Sequence, residues 1–303
     1  MNSYYKYFIY GSFIFLIIAL YRANYLIIPD IKSYFALSIS LLFLYSAFIF
    51  EAVLWKKLLL KSNHSIHIIQ SIESIGLSIF GKYIPGKVMM IIGKAAYISE
   101  NNGLSLGRLS FISLQMQLIL AWVGLVIGTI ALLLLNGFST WGWIIIFLLF
   151  MLSALIYTDY GQTSVEYIIA TIFHRNIALP RFLFRSTLQL LPLSLLVWSA
   201  YSFGLFFLTK SIINNYIPLY IGLGFPLAAT VGVMAVFSPA GLGVREGVLI
   251  GYFSLAGFSL VDATSIAVVS RLWLLIGELL IFITALITSQ LSKIKKLNKT
   301  YNG

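Results

Sequence analysis

Apolar runs of membrane-crossing length recur along the chain. They cover Tyr5 to Ile28, Tyr34 to Trp55, Leu109 to Leu135, Trp141 to Tyr157, Ser186 to Leu208 and Asp262 to Leu291. A helix needs about 20 residues to cross a bilayer core about 30 Å thick. No water there satisfies the backbone, so such runs must be helices. The composition agrees, with 60% hydrophobic and 10% charged residues and a mean hydropathy of +0.97. We therefore expect an all-α polytopic membrane protein with about six full spans. Residues 1–303 are read as one membrane domain. No small-residue cleavage site precedes Arg22, so the first run is read as an uncleaved span.

Two further apolar segments, Ile66 to Ser99 and Tyr216 to Ala256, are interrupted, by "GKYIPGK" and by "VFSPAGLGVREG". A proline, several glycines and charged residues stand where hydrocarbon is expected. Each segment reads as a broken re-entrant hairpin. Pro85, Gly93, Gly103 and the pair Ser105-Leu106 recur 154 positions later as Pro239, Gly247, Gly257 and Ser259-Leu260. The same shift carries Tyr34–Trp55 onto Leu188–Thr209. This suggests two repeats, about 34–135 and 186–291, followed by a basic tail over 292–303.

The net charge of +11 is not read as nucleic-acid binding, because Lys and Arg collect in the cytoplasmic loops of multi-span proteins. With hairpins that return to their own side, one face gathers Lys6, Lys56, Lys57, Lys61, Lys94, Arg108, Arg175, Arg181, Arg185 and the tail lysines Lys293, Lys295, Lys296 and Lys299. The other holds only Arg22, Lys32 and Lys210. Both termini are thus expected in the cytoplasm, beneath the cytoplasmic membrane, and the repeats are expected to be inverted. Such repeats with broken helices place substrate sites near the midplane in many transporters. A short amphipathic helix is expected near Val165 to His174. The absence of cysteine excludes thiolate catalysis and Cys-ligated metals.

The breaks carry the candidate chemistry. Pro239, Gly241 and Gly243 open one, and Arg245 lies in the first turn of the half-helix that follows. A helix N-terminus favours an anion, and an arginine fork suits phosphate. Glu246 is placed to position Arg245 or another cation. An Arg–Glu pair that only fixes helix packing is the alternative. Pro85 and Gly86 open the other break, with Lys87 as a headgroup ligand. Lys94 is expected at the inner headgroup region by snorkelling, and Lys82 is ambiguous for the same reason. In the last helix Arg271 and Glu278, seven residues apart, share a face but lie about 10 Å apart along it. Each needs another partner, and Glu246 suits Arg271. Gln117, which the repeat maps onto Arg271, reads as a cavity wall or an interhelical hydrogen bond, as does Gln115. Glu51 is placed to pair with Lys56 or Lys57. His64 and His67, at helical spacing beside Glu73, read as an interface cluster. No catalytic constellation, metal site or cofactor motif is found.

These segments resemble a known family. "GKYIPGKVMMIIGKAAYISENNGLSLGR" and "SPAGLGVREGVLIGYFSLAGFSLVDATSIAVVSRLWLLIGELL" are similar to two signatures of the lysylphosphatidylglycerol synthase transmembrane-region family. The matching positions are Pro239, Gly241, Gly243, Arg245, Glu246, Arg271 and Glu278. The resemblance implies a flippase-like membrane domain. The soluble aminoacyl-transferase domain of the fused members has no counterpart in this sequence, so a stand-alone member is expected. The expected function is translocation of an anionic membrane lipid or lipid-linked envelope precursor. The expected partners are membrane lipids and envelope-biosynthesis enzymes. An intramembrane lipid-modifying transferase and a small-solute secondary carrier stay open as alternatives.

Overall fold

A computed structural model describes residues 30–84, 88–164, 167, 184–213, 216–235 and 238–301. The expected first span at Tyr5–Ile28, the break residues Pro85, Gly86 and Lys87, and nearly all of the amphipathic stretch at Val165–His174 lie outside them.

The described chain is helical, with no strand among its elements. Helix α1 spans Tyr34–Lys61. Its N-terminus is closed by Ser33, whose side chain accepts from the Ala36 N–H at 3.2 Å. The first hairpin follows: α2 over Ile68–Ser78, a 3₁₀ turn over Ile79–Tyr83, then α3 over Val88–Asn102. Helix α4 runs over Leu106–Asn136 and α5 over Thr140–Tyr157. Helix α6 covers Phe184–Ile212. The second hairpin comprises a 3₁₀ turn at Leu219–Leu223, α7 over Gly224–Met234, a short turn at Pro239–Gly241 and α8 over Val244–Leu255. Helix α9 runs over Leu260–Tyr301.

Five of the described helices are long and apolar enough to cross a membrane: α1, α4, α5, α6 and the Leu260–Ser292 part of α9. The chain is thus an all-α, multi-pass membrane protein. Two expected boundaries need correction. Helix α1 continues through "KKLLLK" to Lys61, where a basic loop was expected. Helix α9 continues to Tyr301, through the stretch read as a polar tail. Hydropathy marks where a segment leaves hydrocarbon, whereas backbone bonding continues wherever good helix formers allow it.

Several of the packing contacts have counterparts in the two halves. Helices α1 and α6 form the most extensive pair. Ser40 Oγ donates to the Gly204 carbonyl at 2.6 Å, and Phe43 stacks on Phe203 and Phe207. The first arm of each hairpin packs on the long helix of the other half, α2 on α9 and α7 on α4. The second arms pack on their own following helices, α3 on α4 and α8 on α9, and the 3₁₀ turns at the two hairpin tips touch. The connections match too. Gly103 and Gly257, 154 residues apart, both take positive φ, 66° and 88°. Each ends a second arm in the left-handed conformation that glycine adopts without steric cost. Helices α4 and α9 begin at equivalent positions, Leu106 and Leu260.

Between helices, small and polar side chains set the distance. An added Cβ at Gly76 of α2 would lie 2.6 Å from the Ala285 Cβ and from the Ile281 carbonyl of α9. Ser71 donates to the Ala52 carbonyl at 2.6 Å and Trp55 Nε1 to Ser74 at 3.0 Å, tying α1 to α2. Trp198 Nε1 reaches the Leu120 carbonyl at 3.0 Å, tying α6 to α4. In lipid such close packing and hydrogen bonding hold helices together, because burial against hydrocarbon gives no drive.

Candidate headgroup site between the hairpin tips

The second hairpin's turn needs unusual backbone. Ala240 has φ 49°, Gly241 72° and Gly243 79°. Gly241 is required twice over, since an added Cβ there would also lie 2.9 Å from the Gly232 Cα. Ser238 Oγ braces the turn by donating to the Leu242 carbonyl at 2.7 Å. Helix α8 then opens with Arg245 and Glu246, both buried.

Glu246 folds back on its own helix start and accepts from the Gly243 N–H at 2.7 Å. The N-terminus expected to attract an outside anion is therefore already covered by an internal carboxylate. The other oxygen, Oε1, lies 3.4 Å from Arg245 Nη2 and 3.5 Å from Arg271 Nη1. Two guanidinium groups thus share one carboxylate oxygen as ion pairs, and neither is aligned to hydrogen-bond to it. Arg245 also donates to Ser270 Oγ at 3.4 Å and sits over the Phe225 ring at 5.8 Å. Arg271 donates to the Ala240 carbonyl at 3.1 Å and lies over Tyr83 at 5.6 Å. Arg245 Nε, Arg271 Nε and Arg271 Nη2 are buried without a hydrogen-bond partner.

The first hairpin reaches the same region. Its 3₁₀ turn presents Lys82 and Tyr83 to Glu278 of α9. Lys82 pairs with Glu278 Oε1, and the Tyr83 hydroxyl donates to Oε2 at 2.9 Å. Arg271 and Glu278 do not pair with each other. Instead, each ties a different hairpin tip to α9.

A cavity of about 140 Å³ opens beside this network. Its charged and polar lining includes Arg245, Lys82, Gln117 and Glu51; Phe48, Trp198, Tyr201 and Phe225 supply aromatic wall. Tyr201 stacks on Phe225 at 5.0 Å and meets Phe48 edge-on at 5.8 Å, which fixes that wall.

The structure gathers Arg245, Glu246, Arg271 and Glu278 into one network and puts Gln117 on the same cavity. Four residues stand elsewhere than expected. Lys94 is buried, with Nζ 3.5 Å from the Met116 sulfur and 5.0 Å from the Trp55 ring centre. It points into the bundle, so snorkelling does not describe it. Glu51 accepts from the Tyr201 hydroxyl at 2.7 Å rather than pairing with Lys56 or Lys57. Residues five and six apart lie about 140° and 240° around a helix, so those lysines face away from it. His64 lies in the turn before α2 and His67 at its N-cap, so the two do not share a helix face. Glu73 is bonded by Tyr97 at 2.6 Å and Ser292 at 3.2 Å. Among the described residues no group of three His, Cys, Asp or Glu side chains is placed to hold a metal.

The family described as lysylphosphatidylglycerol synthase TM region matches residues 13–281. The chain belongs to this family. The matched region takes in both hairpins, α9 as far as Glu278 and every side chain of the network. Membership ties the chain to a membrane-lipid-related role. No curated protein and no solved structure matches the chain.

Proposed function

We propose that the chain moves the phosphate-bearing headgroup of an anionic lipid or lipid-linked precursor across the cytoplasmic membrane. The observation that carries this reading is the sharing of Glu246 Oε1 by Arg245 and Arg271, with three of their N–H-bearing nitrogens left unpartnered. Buried charge without full pairing is costly in a protein interior. A phosphate supplies the missing negative charge and the missing acceptors together, and arginine forks match its oxygens. The cavity holds on the order of ten waters, at 10–15 Å³ for each water centre, which is ample for a phosphate and its first substituent. Acyl or prenyl chains stay in the bilayer while the headgroup crosses between the hairpin tips. The two halves act as inverted repeats that open alternately, with both termini in the cytoplasm. The partners are membrane lipids and, by way of a shared precursor, enzymes of envelope biosynthesis.

Mass spectrometry of lipids retained by the purified protein tests this. Wild type is compared with Arg245→Ala and Arg271→Ala, each checked for folding by thermal melting, and with Arg245→Lys as a charge-preserving control. Retention of one anionic lipid class by wild type, at least tenfold reduced in both alanine variants (about 1.4 kcal/mol of binding), is the expected result. An unchanged lipid complement in folded variants would sink the headgroup reading and leave the arginines structural.

A further inference from the structure

Glu51 stands apart from the two carboxylates of the network beside the cavity. Glu246 is held by two arginines and Glu278 by Lys82. Glu51 itself lines the cavity, and its hydrogen bond is to a neutral hydroxyl, Tyr201, at 2.7 Å. Among the described residues no cation lies within ion-pair distance of it. Several charged or titratable groups face it from the elements around it: Tyr201 from α6, Lys94 from α3, Lys82 from the first hairpin's turn and Glu278 from α9. Arg245 of α8 and Gln117 of α4 share its cavity. The charged residue of α2, Glu73, is turned to Tyr97 and Ser292. Lys94, which interacts electrostatically with Glu51, lies against the Met116 sulfur and the Trp55 face.

We propose that Glu51 is a proton-binding site whose occupancy is coupled to the headgroup, one proton entering the cavity with each phosphate. The inference rests on the headgroup reading above and adds an energy source to it. A phosphate seated at Arg245 shares a small, largely apolar cavity with the Glu51 carboxylate. Two like charges at such range in a low-dielectric site repel strongly. Proton uptake by Glu51 removes that repulsion, and the carboxylic acid can turn its hydrogen-bond pairing with Tyr201 around, donating where it had accepted. Linkage then requires the converse: a bound proton strengthens phosphate binding by the same factor. A transmembrane proton gradient can drive headgroup movement through this coupling.

Calorimetry tests it on the full chain, with short-chain phosphatidylglycerol as the probe. Its phosphodiester keeps a single charge through the neutral range, so the ligand contributes no proton of its own. Titrations in two buffers of different ionisation enthalpy read the protons taken up on binding. We expect uptake approaching one proton per lipid in wild type and a fall to near zero in Glu51→Gln. The variant keeps the Tyr201 hydrogen bond and still binds the lipid. Over the same range wild-type affinity weakens by up to about tenfold per pH unit as pH rises, and the variant's does not. Lipid binding that carries no proton, or uptake that persists in Glu51→Gln, overturns the proton site alone. Failure of wild type and variant alike to bind the lipid overturns the headgroup reading, and this inference with it.

Discussion

At the scale of single residues, the site is governed by which charge finds which partner. Glu278 accepts from Lys82 and Tyr83 together, and it is fully buried. Glu278→Gln leaves the Lys82 ammonium without its counter-charge, and breaking one side of a buried pair costs on the order of 3 kcal/mol. We expect thermal melting in detergent to show that loss, and the double variant Lys82→Met, Glu278→Gln to recover most of it. An additive double variant would mean that the pair contributes no coupling energy. The sequence showed that Glu278 needs a partner other than Arg271, but not that Lys82 and Tyr83 supply it. Charged residues at membrane depth must face the interior and find partners, so the seven-residue spacing of Arg271 and Glu278 already argued for separate ones. Glu51 and Lys94 were misread for a complementary reason. Hydropathy counts them near span ends, but only the packing of α1 against α6, and of α3 against α4, decides that they face inward. The signal that could have found Glu51 was its angular separation from Lys56 and Lys57.

At the scale of elements, the breaks make the hairpins. Proline and glycine marked their positions in the sequence, but not the three left-handed sites, at Ala240, Gly241 and Gly243, that the second turn uses. Nor did the sequence show that Glu246 would cap its own helix, because a carboxylate three residues past a turn looks the same whether it faces inward or back. Gly241→Ala places a Cβ against Gly232 at a φ of 72°, which costs about 1–3 kcal/mol in backbone strain. The turn carries Ala240, whose carbonyl holds Arg271, so the same change loosens the network. Gly247→Ala, in helical backbone with open space at the Cβ position, is the matched control and gains up to about 1 kcal/mol from helix propensity. Melting temperatures of the two variants should move in opposite directions. A neutral Gly241→Ala would show that the turn tolerates a different path.

At the scale of the whole molecule, the relation of the two halves to the membrane is what matters. The arms of each hairpin divide their contacts between the two halves, α2 on α9 and α7 on α4, and the tips meet at the centre. The proposed function requires two halves that exchange arms in this way to open the centre first to one face and then to the other. That requires the equivalent connections, Gly103–Leu106 and Gly257–Leu260, to lie on opposite sides of the bilayer. The Lys/Arg distribution predicts the first inside and the second outside. The chain has no cysteine, so single cysteines report cleanly. Ser105 and Ser259 are equivalent positions, and both are exposed. In intact cells a membrane-impermeant maleimide should label Ser259→Cys and leave Ser105→Cys unmodified until the membrane is opened. Labelling of both from the same side would make the halves parallel, and alternate opening around the arginine pair would lose its structural basis.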